Sequence, residues 1–393
     1  MTRFEPNLRI PGPVGLPPSI RTAGGRQMIN HRGPEFTGML IRVLDRMRPF
    51  FGTSSDIVVL SSSGSGGMEA VVVNMISPGD RVLVVSIGSF GDRFAQVAKV
   101  FGATVTRLDF EWGRAADPAV LRDHLAANPG YAAVLLTHNE TSTGVLNPLG
   151  ELAAAIRATQ PEALILVDGI SSVGAVPFEM DAWGIDVAVT ASQKAWMAAP
   201  GLAMVAASPR AWDAMERTTG PRFYFDLRAH RKAHAVGETP WTPAVAVFFQ
   251  VDEGLRLMEQ ETRAGVFARH AACAAATQAA LLELGFRLLA DEGCRSRTVT
   301  AAWVPDGLDW KAFNGAVTRQ GVVLAGGQGK LTGKIFRVGH LGSATVDEII
   351  GVAAALEAAL IELGRPVVPG SAVAAAQRAA LERAAAREAA EVA

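Results

Sequence analysis

Lys194 is the only cation in the apolar stretch ASQKAWMAAPGLAMV. Burial beside Ala195, Trp196 and Met197 presses such an amine toward its neutral, nucleophilic form, which a Schiff-base lysine requires. The ordinary alternative is a lysine with a buried stem and its head in water. Asp168 closes the apolar run Ala163 to Val167 in LVDGISSVG. A buried carboxylate needs a partner. A protonated ring nitrogen is one; a helix N-terminus or an arginine is the ordinary one.

Four further stretches have complementary chemistry. SSSGSGGMEA, residues 61–70, sets glycines among hydroxyls ahead of a helix read as opening at Met68. Backbone N–H groups there could cradle a phosphate, with Ser63 and Ser65 adding donors; a flexible turn has the same composition. Phe90, in the glycine-flanked turn SIGSFGDRF, could stack on a planar ring or belong to the core. THNETSTGV crowds His138, Asn139, Thr141, Ser142 and Thr143 together, as a site rim or a capped loop would. Arg337, in GKIFRVGHLG, offers a planar fork for a carboxylate or a structural salt bridge. Each stretch has a plain structural reading. Together they match one ligand with a phosphate, a planar basic ring and an aldehyde, and a substrate with a carboxylate.

The elements that position these residues follow from the apolar pattern. Short apolar runs at Ile57 to Leu60, Val82 to Val85, Ala132 to Leu136, Ala163 to Val167, Val187 to Thr190 and Leu202 to Ala206 alternate with helical or glycine-rich segments. Several are apolar on both faces, as strands between helix layers must be. The expected fold is α/β, with a mainly parallel sheet in a large domain and a smaller α+β domain at the C-terminal end. Ligands of such sheets sit beyond the carboxyl ends of the strands, where all but the last of the six stretches fall. Residues 1–25, rich in Pro and Gly, read as an extended arm. Residues 26–260 form the expected large domain and 261–370 the small one. Residues 371–393 read as an alanine-rich helix, packed on the surface or frayed.

Charge and cysteine content narrow the function classes. Thirty-seven basic residues stand against 38 acidic, a formal net charge of -1. That balance offers no field for nucleic acid or an anionic membrane. Cys273 and Cys294 lie in unrelated contexts and read as free thiols of a cytoplasmic protein. No signal peptide or membrane span is read, and no metal is called for.

The motifs IPGPVGLPP, SSGSGGMEA, THNETSTGV, LVDGISSVGAVPF, SQKAWMAAPGL, TPWTPA and GKIFRVGHLG, in that order, resemble the class V aminotransferases of the serine–glyoxylate, alanine–glyoxylate and serine–pyruvate group. The resemblance runs from about Asn7 to about Ala375. It implies a fold-type-I transferase that carries pyridoxal 5'-phosphate on Lys194 as a Schiff base. On that resemblance Gln193, Ser63, Gly64 and Ser65 hold the phosphate, and Asp168 pairs with the ring nitrogen. Phe90 and Ile170 lie on opposite faces of the ring, with Thr141 near its phenolic oxygen. Arg337 binds the substrate α-carboxylate, helped by backbone around Gly12. Thr242 reaches the phosphate of a neighbouring subunit, which implies a homodimer with shared sites. Thr239 stands where animal relatives have Tyr, which leaves its share of that contact open. Ser65 stands where animal relatives have His and bacterial ones often Thr.

The implied reaction moves the amino group of a small amino acid, serine or alanine, to a small keto acid, glyoxylate or pyruvate. His31, Arg32 and His138 are candidates for the distal pocket; His31 or Arg32 turned inward would favour an aspartate-type donor. A lyase or cysteine desulfurase on the same fold, and a non-catalytic subunit, are the rivals. A desulfurase needs a reactive cysteine on a mobile loop, and neither Cys273 nor Cys294 has that setting.

Overall fold

The computed structural model describes residues 5–392. Seven strands form the central sheet: β1 (Asp56–Ser62), β2 (Arg81–Ser86), β3 (Thr104–Asp109), β4 (Ala133–Thr137), β5 (Leu164–Asp168), β6 (Val187–Ala191) and β7 (Gly201–Ala207). Their spatial order is β1-β7-β6-β5-β4-β2-β3. The strands from β2 to β6 pair in parallel, whereas β7 runs against both of its neighbours. β1 and β6 therefore point the same way. The carboxyl ends of β1, β2, β4, β5 and β6 consequently open along one edge.

Alternation along each strand feeds two cores. Ile57, Val59, Leu83, Val85, Val134, Leu136, Ile165 and Val167 face one layer. Val58, Leu60, Val82, Val84, Ala133, Leu135, Leu164 and Leu166 face the other. The period-two geometry of a strand produces this split, and apolar residues at both phases explain why the runs show no polar alternation. Strand β3 was not visible in the sequence. It lies at the sheet edge with a half-exposed pattern, so TVTRLD carries no apolar run.

A second sheet lies C-terminal to this one. Strands β8 (Val299–Trp303), β9 (Ala325–Gly326) and β10 (Ile335–Gly339) pair antiparallel in the order β8-β10-β9. Their core includes Phe286, Phe313 and Phe336. Residues 322–323, just before β9, do not join this sheet. Val322–Val323 pairs instead with Asn7–Leu8 from the N-terminal segment.

One expectation, for the N-terminal segment, needs correction. The segment read as an extended arm contains a helix, Pro18–Gly24. Proline at the first position of a helix is well tolerated, because the N–H it lacks would have no partner there. Ile20 and Ala23 on this helix are buried. The tail forms a helix, and its first turns pack on a neighbouring helix. Helix Ser371–Val392 buries Ala372, Ala376 and Ala380 against Cys273, Ala276 and Ala280 of helix Arg263–Glu283. The buried Glu357 carboxylate accepts hydrogen bonds from the N–H groups of Gly370 (2.8 Å), Ala372 (2.7 Å) and Val373 (3.3 Å). An anion so placed stabilises a helix start.

Replacing Glu357 by alanine leaves those donors without a charged acceptor and should cost about 2–3 kcal/mol. Thermal unfolding of the two proteins checks this; equal midpoints would show that the tail does not depend on the cap.

Candidate active site

Lys194 follows β6 in a tight turn, where its N–H donates to the Ala191 carbonyl at 3.3 Å. The turn is held from below: Ser192 Oγ donates to the Ala199 carbonyl at 2.6 Å, and Trp196 Nε1 donates to Thr190 Oγ1 at 3.1 Å. The lysine side chain is 8% exposed, and Nζ donates to the carbonyl of Pro11. The N-terminal segment thus crosses the site. Gly12 is required there, since a Cβ would lie 2.7 Å from Nζ and its φ of +131° disfavours other residues. Burial pushes the amine down to about 8, with Asp168 opposing and Arg337 assisting. The bland reading of a solvated lysine is excluded by this burial.

Asp168 ends β5 and is 3% exposed. One carboxylate oxygen, Oδ1, accepts from the Ile170 N–H at 2.9 Å; among the described residues Oδ2 has no hydrogen-bond partner. Burial pushes its pKa up to about 7; Glu140 adds to this, while the Ile170 N–H and the charges of Lys194 and Arg93 oppose it. Glu140 is a further acid of the site, and its sequence context does not mark it out. It is fully buried, and it accepts from the N–H groups of Phe90 (3.0 Å), Gly91 (3.2 Å) and Ser142 (3.0 Å) and from Ser142 Oγ (2.6 Å). Burial raises its pKa, and these four bonds oppose the rise. Its place within a polar run resembled any capped loop, so composition gave no separate signal.

The serine–glycine turn opens helix Gly64–Met75, earlier than the start at Met68 read from the sequence. Glycines are poor helix formers, which hides the first turn from pattern reading. Ser63 at the N-cap makes no side-chain cap, so it leaves the first N–H groups of the helix open to a ligand acceptor. A Cβ on Gly64 would lie 2.7 Å from Ile170 Cδ1, so Ile170 packs directly against this turn. Ser63 and Ser65 are exposed. Phe90 lies in the first turn of helix Ser89–Val100 rather than in a free turn. Gln193 has a buried Oε1 with no partner among the described residues.

Arg337 reaches the same edge from the second sheet. It is buried in the central strand β10, with Nε donating to the Gly326 carbonyl (3.0 Å) and one Nη to the Thr141 carbonyl (3.2 Å). Burial lowers its pKa to about 10, and Glu140 opposes. No carboxylate lies within ion-pair distance of Arg337 among the described residues. Thr141 Oγ1 donates to Ser171 Oγ at 2.7 Å, so Ser171 joins the rim as a residue the sequence did not single out.

The remaining candidates lie elsewhere. His138 is buried between the rings of Phe178 (centroids 5.4 Å) and Trp183 (6.0 Å), and burial lowers its pKa to about 3. It is a core residue, not a pocket wall. Arg32 is exposed and paired to Glu238 at 2.8 Å, and His31 beside it is half-buried. This loop adjoins the Gly237–Thr242 segment, because Thr37 Oγ1 donates to the Gly237 carbonyl at 3.0 Å. Thr239 is buried and its hydroxyl donates to the Trp241 carbonyl (2.8 Å), whereas Thr242 is exposed.

The open groups define what fits. Uncapped helix N–H groups and exposed serine hydroxyls suit a phosphate. A free Asp168 oxygen suits a protonated ring nitrogen, and a partly neutral lysine suits an aldehyde. A buried guanidinium lacking a carboxylate suits an amino or keto acid. The residues present therefore fit pyridoxal phosphate and its substrates.

The raised Asp168 pKa has a consequence for the ligand-free fold. Its proton stabilises the folded state in full below the ordinary carboxyl value of 3.8, and that contribution is lost progressively as the pH rises from there through about 7. Asp168→Asn should therefore raise ligand-free stability at pH 8 by up to about 4 kcal/mol, a gain that fades toward pH 4. Denaturant melts at both pH values test this; a variant less stable than the parent at pH 8 contradicts it.

The aminotransferase class-V family model matches residues 20–339. A protein of Synechococcus sp. (strain PCC 6716) named soluble hydrogenase, small subunit, is 40% identical over 377 residues, covering 94% of this chain and 97% of that one. The L-aspartate–glyoxylate aminotransferase of Paracoccus denitrificans is 36% identical over 382 residues, with 96% of each chain covered. The crystal structure of an alanine–glyoxylate aminotransferase from Nostoc sp. matches with a TM-score of 0.87 at 30% identity, over 92% of this chain and 96% of that one. The chain thus belongs to the class V aminotransferases, enzymes that work with pyridoxal phosphate.

Proposed function

We propose that this chain moves the amino group of a small L-amino acid, serine or alanine, to glyoxylate or pyruvate, with Lys194 as both attachment point and proton carrier. The observation that carries the reading is the meeting of Lys194, Asp168 and Arg337 at one edge, buried and without ion pairs. Bound pyridoxal phosphate supplies an electron-accepting ring that spreads negative charge developed at the substrate Cα. The protein's share is positional and electrostatic. Arg337 binds the α-carboxylate, which fixes the Cα–H bond toward Lys194. Lys194 Nζ, poised near neutrality by burial, takes the Cα proton and returns it one atom away. Asp168 would present its free oxygen to the ring nitrogen and keep that nitrogen protonated. Phe90 and Ile170 would flank the ring, and Ser63, Gly64, Ser65 and Gln193 would hold the phosphate, with Thr141 at the rim.

An aspartate donor is the second reading, favoured by the named activity of the Paracoccus denitrificans relative. Desulfuration is not favoured. Cys273 is buried inside helix Arg263–Glu283, where burial pushes its thiol up to about 12, and burial raises Cys294 as well. Neither supplies a thiolate.

The same reading includes a homodimer. Phe223 is 74% exposed, and its ring lies tilted against that of Trp241 (centroids 4.7 Å), beside Tyr224, whose hydroxyl reaches the Ser61 carbonyl at 3.5 Å. An exposed aromatic patch next to the phosphate turn suits a second copy of the chain. That copy would bring Thr242, with Thr239 behind it and His31 alongside, to its neighbour's site. The domain limits at residues 25, 260 and 370 and a cytoplasmic location belong to this proposal too. No helix among the described residues is long and apolar enough to cross a membrane.

Half-reactions of the purified protein against a matrix of serine, alanine and aspartate with glyoxylate and pyruvate test the assignment. Serine or alanine with glyoxylate should turn over fastest, and Arg337→Ala should raise the donor KM about tenfold to a hundredfold with an unchanged coenzyme spectrum. Fastest turnover of aspartate would select the second reading; no turnover with any pair would refute both.

A further inference from the structure

The coenzyme's phosphate carries close to two negative charges, yet every residue so far assigned to it is neutral. Ser63, Ser65, Gln193, Thr239 and Thr242 supply hydrogen bonds but no charge, and Lys194 is committed to the aldehyde. Backbone N–H groups at a helix start contribute only part of a charge. A cation is missing from the account.

Arg93 stands where that cation is needed. It lies three residues beyond Phe90 on helix Ser89–Val100, so both side chains share one face. Its guanidinium carbon sits 4.9 Å from the centroid of the Phe90 ring. One of its Nη groups donates to Ser65 Oγ at 3.2 Å, which makes Arg93 the one cation hydrogen-bonded to the Ser63–Ser65 turn among the described residues. The neighbouring Asp92 does not hold it, being taken by Arg107 (2.5 Å) and Ser86 Oγ (2.7 Å). Arg93 itself has no ion pair among the described residues. An arginine laid across an aromatic ring, tethered to a serine hydroxyl and lacking a carboxylate, still has most of its five donors available.

We propose that Arg93 is a coenzyme-binding residue, whose guanidinium pairs with the phosphate of pyridoxal phosphate beside the Ser63–Ser65 turn. The proposal rests on the assignment of that turn to the phosphate. Its greatest value comes when the coenzyme is in its amine form. No covalent bond to Lys194 then retains the coenzyme, and the phosphate contacts alone must keep it from leaving.

Pyridoxamine 5'-phosphate and pyridoxamine separate the charge from the ring. The full-length protein, freed of coenzyme by dialysis against an amino donor, is titrated with each compound and its binding followed by fluorescence. Arg93→Ala should weaken the phosphorylated form about tenfold to a hundredfold and the unphosphorylated form less than about threefold. Arg93→Lys should recover part of the loss, because the charge returns without the fork. Equal weakening of both compounds would overturn the proposal, since Arg93 would then act only by supporting Phe90. Unchanged binding of both would overturn it as well. A parent protein that binds the two compounds equally would instead remove the phosphate assignment of the turn itself.

Discussion

Four charged groups are buried at one edge of the central sheet, and none of them forms an ion pair with another. Asp168 and Glu140 are the acids, Lys194 and Arg337 the cations, and each shifts the ionisation of at least one other. Burying such groups without pairing is costly, and proteins tolerate it where a ligand completes the balance. The rest of the fold can be understood as the apparatus that keeps these four in place. The sheet aligns the ends of β5 and β6, the second sheet delivers Arg337 across the gap, and the N-terminal segment closes over Lys194 through Pro11 and Gly12.

Glu140 has a distinctive place in that balance. It is tied to the start of the helix carrying Phe90, and its charge reaches both Asp168 and Arg337. It sustains the protonated guanidinium of Arg337 while raising the affinity of Asp168 for a proton. One buried acid therefore holds the backbone of Phe90 in position and tunes a group on either side. Removing it would disturb geometry and electrostatics together.

The strands were legible wherever both faces are buried, because apolar residues then occupy every position. Edge strand β3 was hidden by its half-exposed pattern, and helix Pro18–Gly24 by the prolines and glycines around it. Lys194, Asp168 and Arg337 stood out since a charge within an apolar run conflicts with its surroundings. Glu140 and Arg93 did not, for opposite reasons. Glu140 sat among polar residues whose burial only the fold reveals. Arg93 is exposed on an amphipathic helix, where arginine is unremarkable until its neighbours across space are known. His138 erred the other way: its position after a strand suggested the pocket, but its ring turns back between Phe178 and Trp183.

The proposed chemistry depends on Lys194 being the residue bonded to the coenzyme. Borohydride reduction of the holoenzyme, followed by proteolysis and mass spectrometry, locates that bond directly. The reduced phosphopyridoxyl group should be found on the peptide containing Gln193, Lys194 and Ala195, and on no other lysine at comparable yield. Its recovery on a different lysine, or on none, would contradict the assignment of the site.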